Sequence, residues 1–106
     1  NNMKDNLNFG QALEALENRQ LVSREGWNGK GMFLFITGGG EYSIPKEHKD
    51  WCLLPHYVFD KMIEDKDRLV FKMTQYICMK AADGSIVNGW LASQTDMLAK
   101  DWCILD

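Results

Sequence analysis

A chain of 106 residues, 45% hydrophobic and 25% charged, has the composition of one small soluble domain, long enough for a single core and too short for two. Its net charge of -3 and pI near 5.3 argue against a binder of long nucleic acids, which are held by clustered Lys and Arg, but not against a small anionic ligand needing a few local donors. No apolar run approaches membrane-spanning length, and Asn1–Asn8 lacks both the basic start and the apolar middle of a signal peptide. The expectation is a cytoplasmic protein, with Asn1 and Asn2 a processing remnant ahead of Met3.

In chain order, Asn8–Arg19 predicts a short amphipathic helix capped by Asn8, with Phe9, Ala12, Leu13 and Leu16 on its apolar face. Leu21–Arg24 reads as a brief extended piece. The loop Glu25–Gly31 is of another kind, with three glycines, a tryptophan, an amide and a lysine in seven residues. Gly26, Gly29 and Gly31 permit close approach to the backbone, Trp27 offers a stacking face, Asn28 both gives and takes hydrogen bonds, and Arg24 and Lys30 carry charge for phosphate. A hairpin connection whose Trp27 fills the core fits the same composition, and the loop lacks the GxxxxGK[ST] spacing of a phosphate loop.

Met32–Ile36 predicts a buried strand, Gly38–Gly40 a flexible turn, and Glu41–Ile44 a ragged return strand. Pro45–Arg68 is rich in charge. Within it Val58, Phe59, Met62 and Ile63 mark one face of a helix after Pro55. Leu69–Lys80 alternates as a long strand, with Leu69, Phe71, Met73, Gln75, Ile77 and Met79 on one side. Ala82-Asp83-Gly84-Ser85 supplies a hairpin turn into Ile86 and Val87, and Trp102–Leu105 gives a last edge strand. The predicted class is α+β, an antiparallel sheet of four to six strands with short helices packed on it.

The densest stretch is Gly89–Trp102. Ser93 and Asp96 form the pattern of a capping box, so a helix should start at Gln94, docked through Met97 and Leu98 and flanked by Trp90 and Trp102. A helix start is a natural seat for a phosphate or carboxylate, although Asp96 occupies part of that field, and the same residues fit an ordinary capped helix. Cys52, Cys78 and Cys103 with His48 and His56 have no CxxC or HxxxH spacing, so they read as free thiols and no metal site.

NFGQALEAL, SREGWNGKGMFLF and MKAADGSIVNGWLASQTDMLAKDW together resemble the phage Thoeris anti-defence family, second type; the middle, about 38–70, does not contribute to the match. The resemblance implies a non-enzymatic sponge, a small oligomer and usually a homotetramer, acting in the cytoplasm of the infected bacterium. Such proteins hold cyclic ADP-ribose isomers made by TIR-domain immune proteins, and some members also hold cyclic dinucleotides in a separate pocket. It implies no cofactor and no metal. It does not itself assign contact residues, so these come from chemistry. A glycocyclic ADP-ribose offers an adenine, two riboses and a pyrophosphate. Trp27 and Trp90 supply stacking faces, Asn28 and Gln94 amides, the Gly29 backbone close approach, Arg24, Lys30, Ser93 and Thr95 phosphate donors, and Asp96 an acceptor for ribose hydroxyls. The two segments are expected to converge, across a subunit interface. Four tryptophans, five phenylalanines and six methionines exceed what so small a core hides, which also points to assembly. Two other classes fit the residues. One is a hydrolase of nucleotide signals using Glu25, Asp83 or Asp96 as base, for which no catalytic order is visible; the other is a viral structural or protein-interaction module with its tryptophans as anchors.

Overall fold

The computed structural model describes residues 4–27 and 30–105. Asn8 caps the first helix, α1 (Phe9–Glu17), by accepting from the Gln11 amide at 2.8 Å, while the Gln11 side chain accepts from the Asn8 amide at 2.9 Å. Of the predicted apolar face Ala12 and Leu16 are buried and Phe9 and Leu13 partly buried, and Ala15, which that reading left out, is buried with them. The strands are β1 (Leu21–Arg24), β2 (Phe33–Pro45), β3 (Arg68–Lys80), β4 (Ile86–Asn88) and β5 (Trp102–Leu105). They form one antiparallel sheet of order β4-β3-β2-β1-β5, as the α+β reading expects. Short helices follow Pro55 (α2, His56–Ile63) and Ser93 (α3, Gln94–Leu98), and a 3-10 helix that the sequence reading did not anticipate spans Lys46–Trp51.

Two compact units share these strands. The first comprises residues 1–37 and 75–106, the second 38–74. In the first unit β1 pairs with β2 at Val22–Leu34 and with β5 from Leu21–Leu105 to Arg24–Trp102. Leu7 extends the pairing, exchanging backbone hydrogen bonds with Trp102 at 2.8 and 3.1 Å. The core gathers Ala12, Leu16, Val22, Leu34 and Met79 around a fully buried Trp102, with Trp27 and Trp90 partly buried against it. β3 turns into β4 through the predicted Asp-Gly turn, where Asp83 accepts from the Ser85 amide and hydroxyl and Gly84 takes a φ of 92°.

The second unit packs Phe59 and Ile63 of α2 on Ile44 and Leu69. The expected apolar face of α2 is narrower than read, because Met62 is 41% exposed. Lys49 reaches Asp60 at 3.1 Å, tying the 3-10 helix to α2 through an exposed pair of small energetic weight.

Two expectations are corrected. Gly38–Gly40 is not a turn, and Glu41–Ile44 is not a returning strand; both lie inside β2. The three glycines have φ of 79°, 90° and 110°, so they carry the strand through a region that L-residues avoid. Met97 and Leu98 do not dock α3, for they are 39% and 73% exposed and no residue of that helix is buried. What holds α3 is polar, with the Trp102 indole N–H donating to the Asp96 carbonyl at 2.9 Å.

These corrections set an order of stability effects. Trp102→Ala should cost about 3–5 kcal/mol, as large-to-small changes of buried aromatics do. Leu98→Ala should stay within about 0.5 kcal/mol of the parent, as exposed substitutions do. Urea unfolding of the two variants checks the contrast, and comparable losses would contradict it.

Candidate functional site

The end of β1 and the start of β5 are paired at Arg24 and Trp102, which places Arg24 beside the residue just before β5, Asp101. Arg24 Nε donates to Asp101 Oδ1 at 2.9 Å, and Arg24 Nη1 donates to Asp96 Oδ1 at 2.8 Å. One guanidinium thus bridges two carboxylates that come from either side of α3's far end. The Arg24 and Asp96 side chains are only 14% and 13% exposed, so water screens this pair less than a surface pair.

Asp96 is the junction. Its Oδ2 accepts from the Ser93 amide at 3.1 Å, and its own amide donates to Ser93 Oγ at 3.0 Å, completing the predicted capping box. Its Oδ1 also accepts the Trp27 indole N–H at 3.3 Å. The Trp27 ring then meets Trp102 edge-on at 5.4 Å and Trp90 at 6.3 Å between centroids. Trp27, Trp90, Ser93, Asp96 and Arg24 therefore lie together within a single chain. Gln94 and Thr95 lie exposed on the first turn of α3, and Lys30 is exposed beyond the loop. Asn28 and Gly29 lie outside the described residues.

The electrostatics follow from this geometry. Asp101 is held below its ordinary value of 3.8, first by the Arg24 hydrogen bond, with burial opposing and the Gly26 amide adding to the drop. For Asp96 burial is the largest influence and pushes upward, yet hydrogen bonds from Arg24, Ser93 and Trp27 together outweigh it and bring the carboxyl down. Arg24 is raised, chiefly by Asp101 and then by Asp96. One cation and two anions leave a net negative charge at the centre. Its free capacity is for accepting hydrogen bonds, as from hydroxyls, more than for holding phosphate.

Two residues change their reading. Arg24, read as a phosphate donor, has its guanidinium taken up by carboxylates. Trp27, read from composition either as a stacking face or as core, is half-buried against the core and gives its indole N–H to Asp96. Asp101 was missed altogether. Its link to Arg24 spans 77 residues, and only the β1-β5 register brings the two together.

The Thoeris anti-defense 2-like domain model matches residues 7–105. The chain belongs to the Thoeris anti-defense 2-like family. A relative from Bacillus phage SP01, described as Thoeris anti-defense 2, is 38% identical over 103 residues, covering 97% of this chain and 99% of its own. The match runs through the middle as well as both ends, further than the resemblance carried by the motifs, and places the chain among phage Thoeris anti-defence proteins. Among the described residues no three His, Cys, Asp or Glu side chains group as a metal site, and no helix is long and apolar enough to cross a membrane.

The lowered carboxylates give the site a pH signature. A group whose pKa drops on folding adds stability above its unfolded pKa, and that contribution is lost as pH falls through the folded value. Arg24→Met, which removes the shared partner, should therefore cost most near neutrality. Its deficit relative to the parent should shrink once the pH falls below about 4, the unfolded carboxylate range. Denaturant unfolding of both proteins at pH 7 and pH 3 measures this; a deficit independent of pH would contradict it.

Proposed function

We propose that this anti-defence protein binds and sequesters a cyclic ADP-ribose-type signal, glycocyclic ADP-ribose, in the infected host, so that the Thoeris effector is not activated and the signal is not degraded. The observation that carries the reading is the joining, through Asp96, of the tryptophan loop to the Trp90–Asp96 segment. Indole surface for a base and acceptors for ribose hydroxyls then stand side by side. In this reading Trp27 and Trp90 contact the base, Asp96 reads hydroxyls from its rim, and Gln94, Asn28 and the Gly29 backbone contribute polar contacts. Lys30, Ser93 and Thr95 meet the pyrophosphate, with Arg24 bracing the centre. Cyclic dinucleotides are the second ligand class.

The protonation states favour a binder over a nucleotide hydrolase. A general base works best with a pKa near the operating pH, whereas Asp96 and Asp83, two of the three carboxylates read as candidate bases, are pushed down, away from it. His48 and His56 belong to the second unit, one stacked on Trp51 at 3.9 Å between centroids and the other 2.8 Å from Asp50. The structural or protein-interaction module is the second reading, favoured by the burial of Trp27 in the core.

Calorimetric titration with glycocyclic ADP-ribose and a panel of cyclic dinucleotides tests the proposal. Because Trp27 is also a core residue, Trp27→Phe is a better probe than Trp27→Ala. Trp90→Ala should cost on the order of 1–3 kcal/mol of affinity, the range for base stacking on an aromatic ring. No heat from any ligand with the folded parent would leave the interaction module as the better reading. Assembly belongs to the same proposal: Leu91 and Ile86 are 89% and 51% exposed, so a homo-oligomer, a tetramer on the family resemblance, is expected by light scattering. The mass of one chain at micromolar concentration would contradict that.

A further inference from the structure

We propose that Asp101 is a positioning residue for this site: its carboxylate, holding the Arg24 guanidinium and the Gly26 amide together, fixes the direction in which the chain leaves β1 and so the seat of the Trp27 indole. The ligand-binding role of Trp27 rests on the function proposed above; the positioning itself does not.

Three consecutive amides leave β1, and each has a partner. Glu25 N–H donates to the Asp101 carbonyl at 3.1 Å, Gly26 N–H to Asp101 Oδ2 at 2.7 Å, and Trp27 N–H to the Arg24 carbonyl at 3.2 Å. Asp101 answers two of the three. Its other oxygen holds Arg24 Nε, and the same guanidinium holds Asp96, which accepts from the Trp27 indole. A chain of charge-assisted bonds thus runs from the Gly26 amide, next to Trp27 in the turn, through Asp101, Arg24 and Asp96 to the Trp27 ring nitrogen. Charge-assisted bonds of this kind are shorter and stronger than neutral ones.

Gly26 is a second, independent mark of the same contact. It is not among the described glycines with positive φ, so its backbone does not require glycine. A Cβ there would stand 2.7 Å from Asp101 Oδ2 and 3.3 Å from Arg24 Nη2, closer than real Cβ atoms come to a carboxylate oxygen. Glycine at this position makes room for the carboxylate. Asp101 is also more open than the guanidinium it holds, its side chain 31% exposed against 14% for Arg24, and it is not part of the core cluster. Those features fit a brace for the turn better than a contributor to global packing.

The test compares the parent with Asp101→Asn, Asp101→Glu and Gly26→Ala. Asp101→Asn removes the charge and one acceptor oxygen. Gly26→Ala keeps every charge and wedges a methyl group into the contact, which keeps the test decisive if the first variant folds poorly. Both should raise hydrogen exchange at the residue-26 amide, relative to its intrinsic rate, by about tenfold or more, the loss of a hydrogen bond to a charged group, and shift indole emission to the red. Melting temperature should move little by comparison, and Asp101→Glu should restore part of the protection. For a parent that binds glycocyclic ADP-ribose, the dissociation constant should rise about tenfold, the equivalent of roughly 1.4 kcal/mol, out of proportion to any change in melting. Unchanged exchange and emission in both Asp101→Asn and Gly26→Ala would overturn the proposal. So would unchanged affinity in both variants when exchange has risen. A parent that binds no ligand overturns the proposed function instead, and the exchange and emission data decide the positioning by themselves.

Discussion

The first unit is arranged to bury one indole and to answer its single N–H. Trp102 is fully buried, and Phe9 from α1, Trp27 and Trp90 all lie against it at 5.4 to 6.3 Å between ring centroids. Its backbone is hydrogen-bonded to Leu7 and stands opposite Arg24 in the sheet. A buried indole N–H without a partner is costly, and here the Asp96 carbonyl accepts it. That requirement brings α3 to its place although no side chain of α3 is buried. The candidate site is a consequence of the same closure, because Asp96 arrives with its carboxylate facing Arg24 and Trp27.

The site that results is chemically lopsided. Indole rings and carboxylate oxygens meet at its centre, and the half-buried Arg24 guanidinium is paired with two carboxylates. A ligand made of phosphate alone would find little there to prefer. A nucleoside with base and hydroxyls would find both kinds of contact.

Local chemistry was legible in the sequence, and long-range chemistry was not. The Asn8 and Ser93 caps and the Asp83-Gly84 turn are each set by residues within a few positions, and each appears where the pattern puts it; the alternation of β3 holds from Leu69 to Met73 and then breaks, with Gln75 exposed and Cys78 buried on the opposite side. Gly38–Gly40 misled because glycine answers any demand for positive φ, whether in a turn or inside a strand such as β2. Met97 and Leu98 misled because apolar spacing on a five-residue helix says nothing of which neighbour covers it. Asp101 was invisible for a different reason. An aspartate before a strand is unremarkable until the β1-β5 register sets it against Arg24 and Gly26.

The central claim is that the chain holds a nucleotide signal and returns it intact. The most direct measurement is to load the protein with glycocyclic ADP-ribose, remove the unbound fraction, denature by heat after increasing times, and identify what is released by mass spectrometry. The account predicts the unaltered molecule at a fixed ratio to protein at every time point. Linear or hydrolysed product that accumulates with incubation would contradict it.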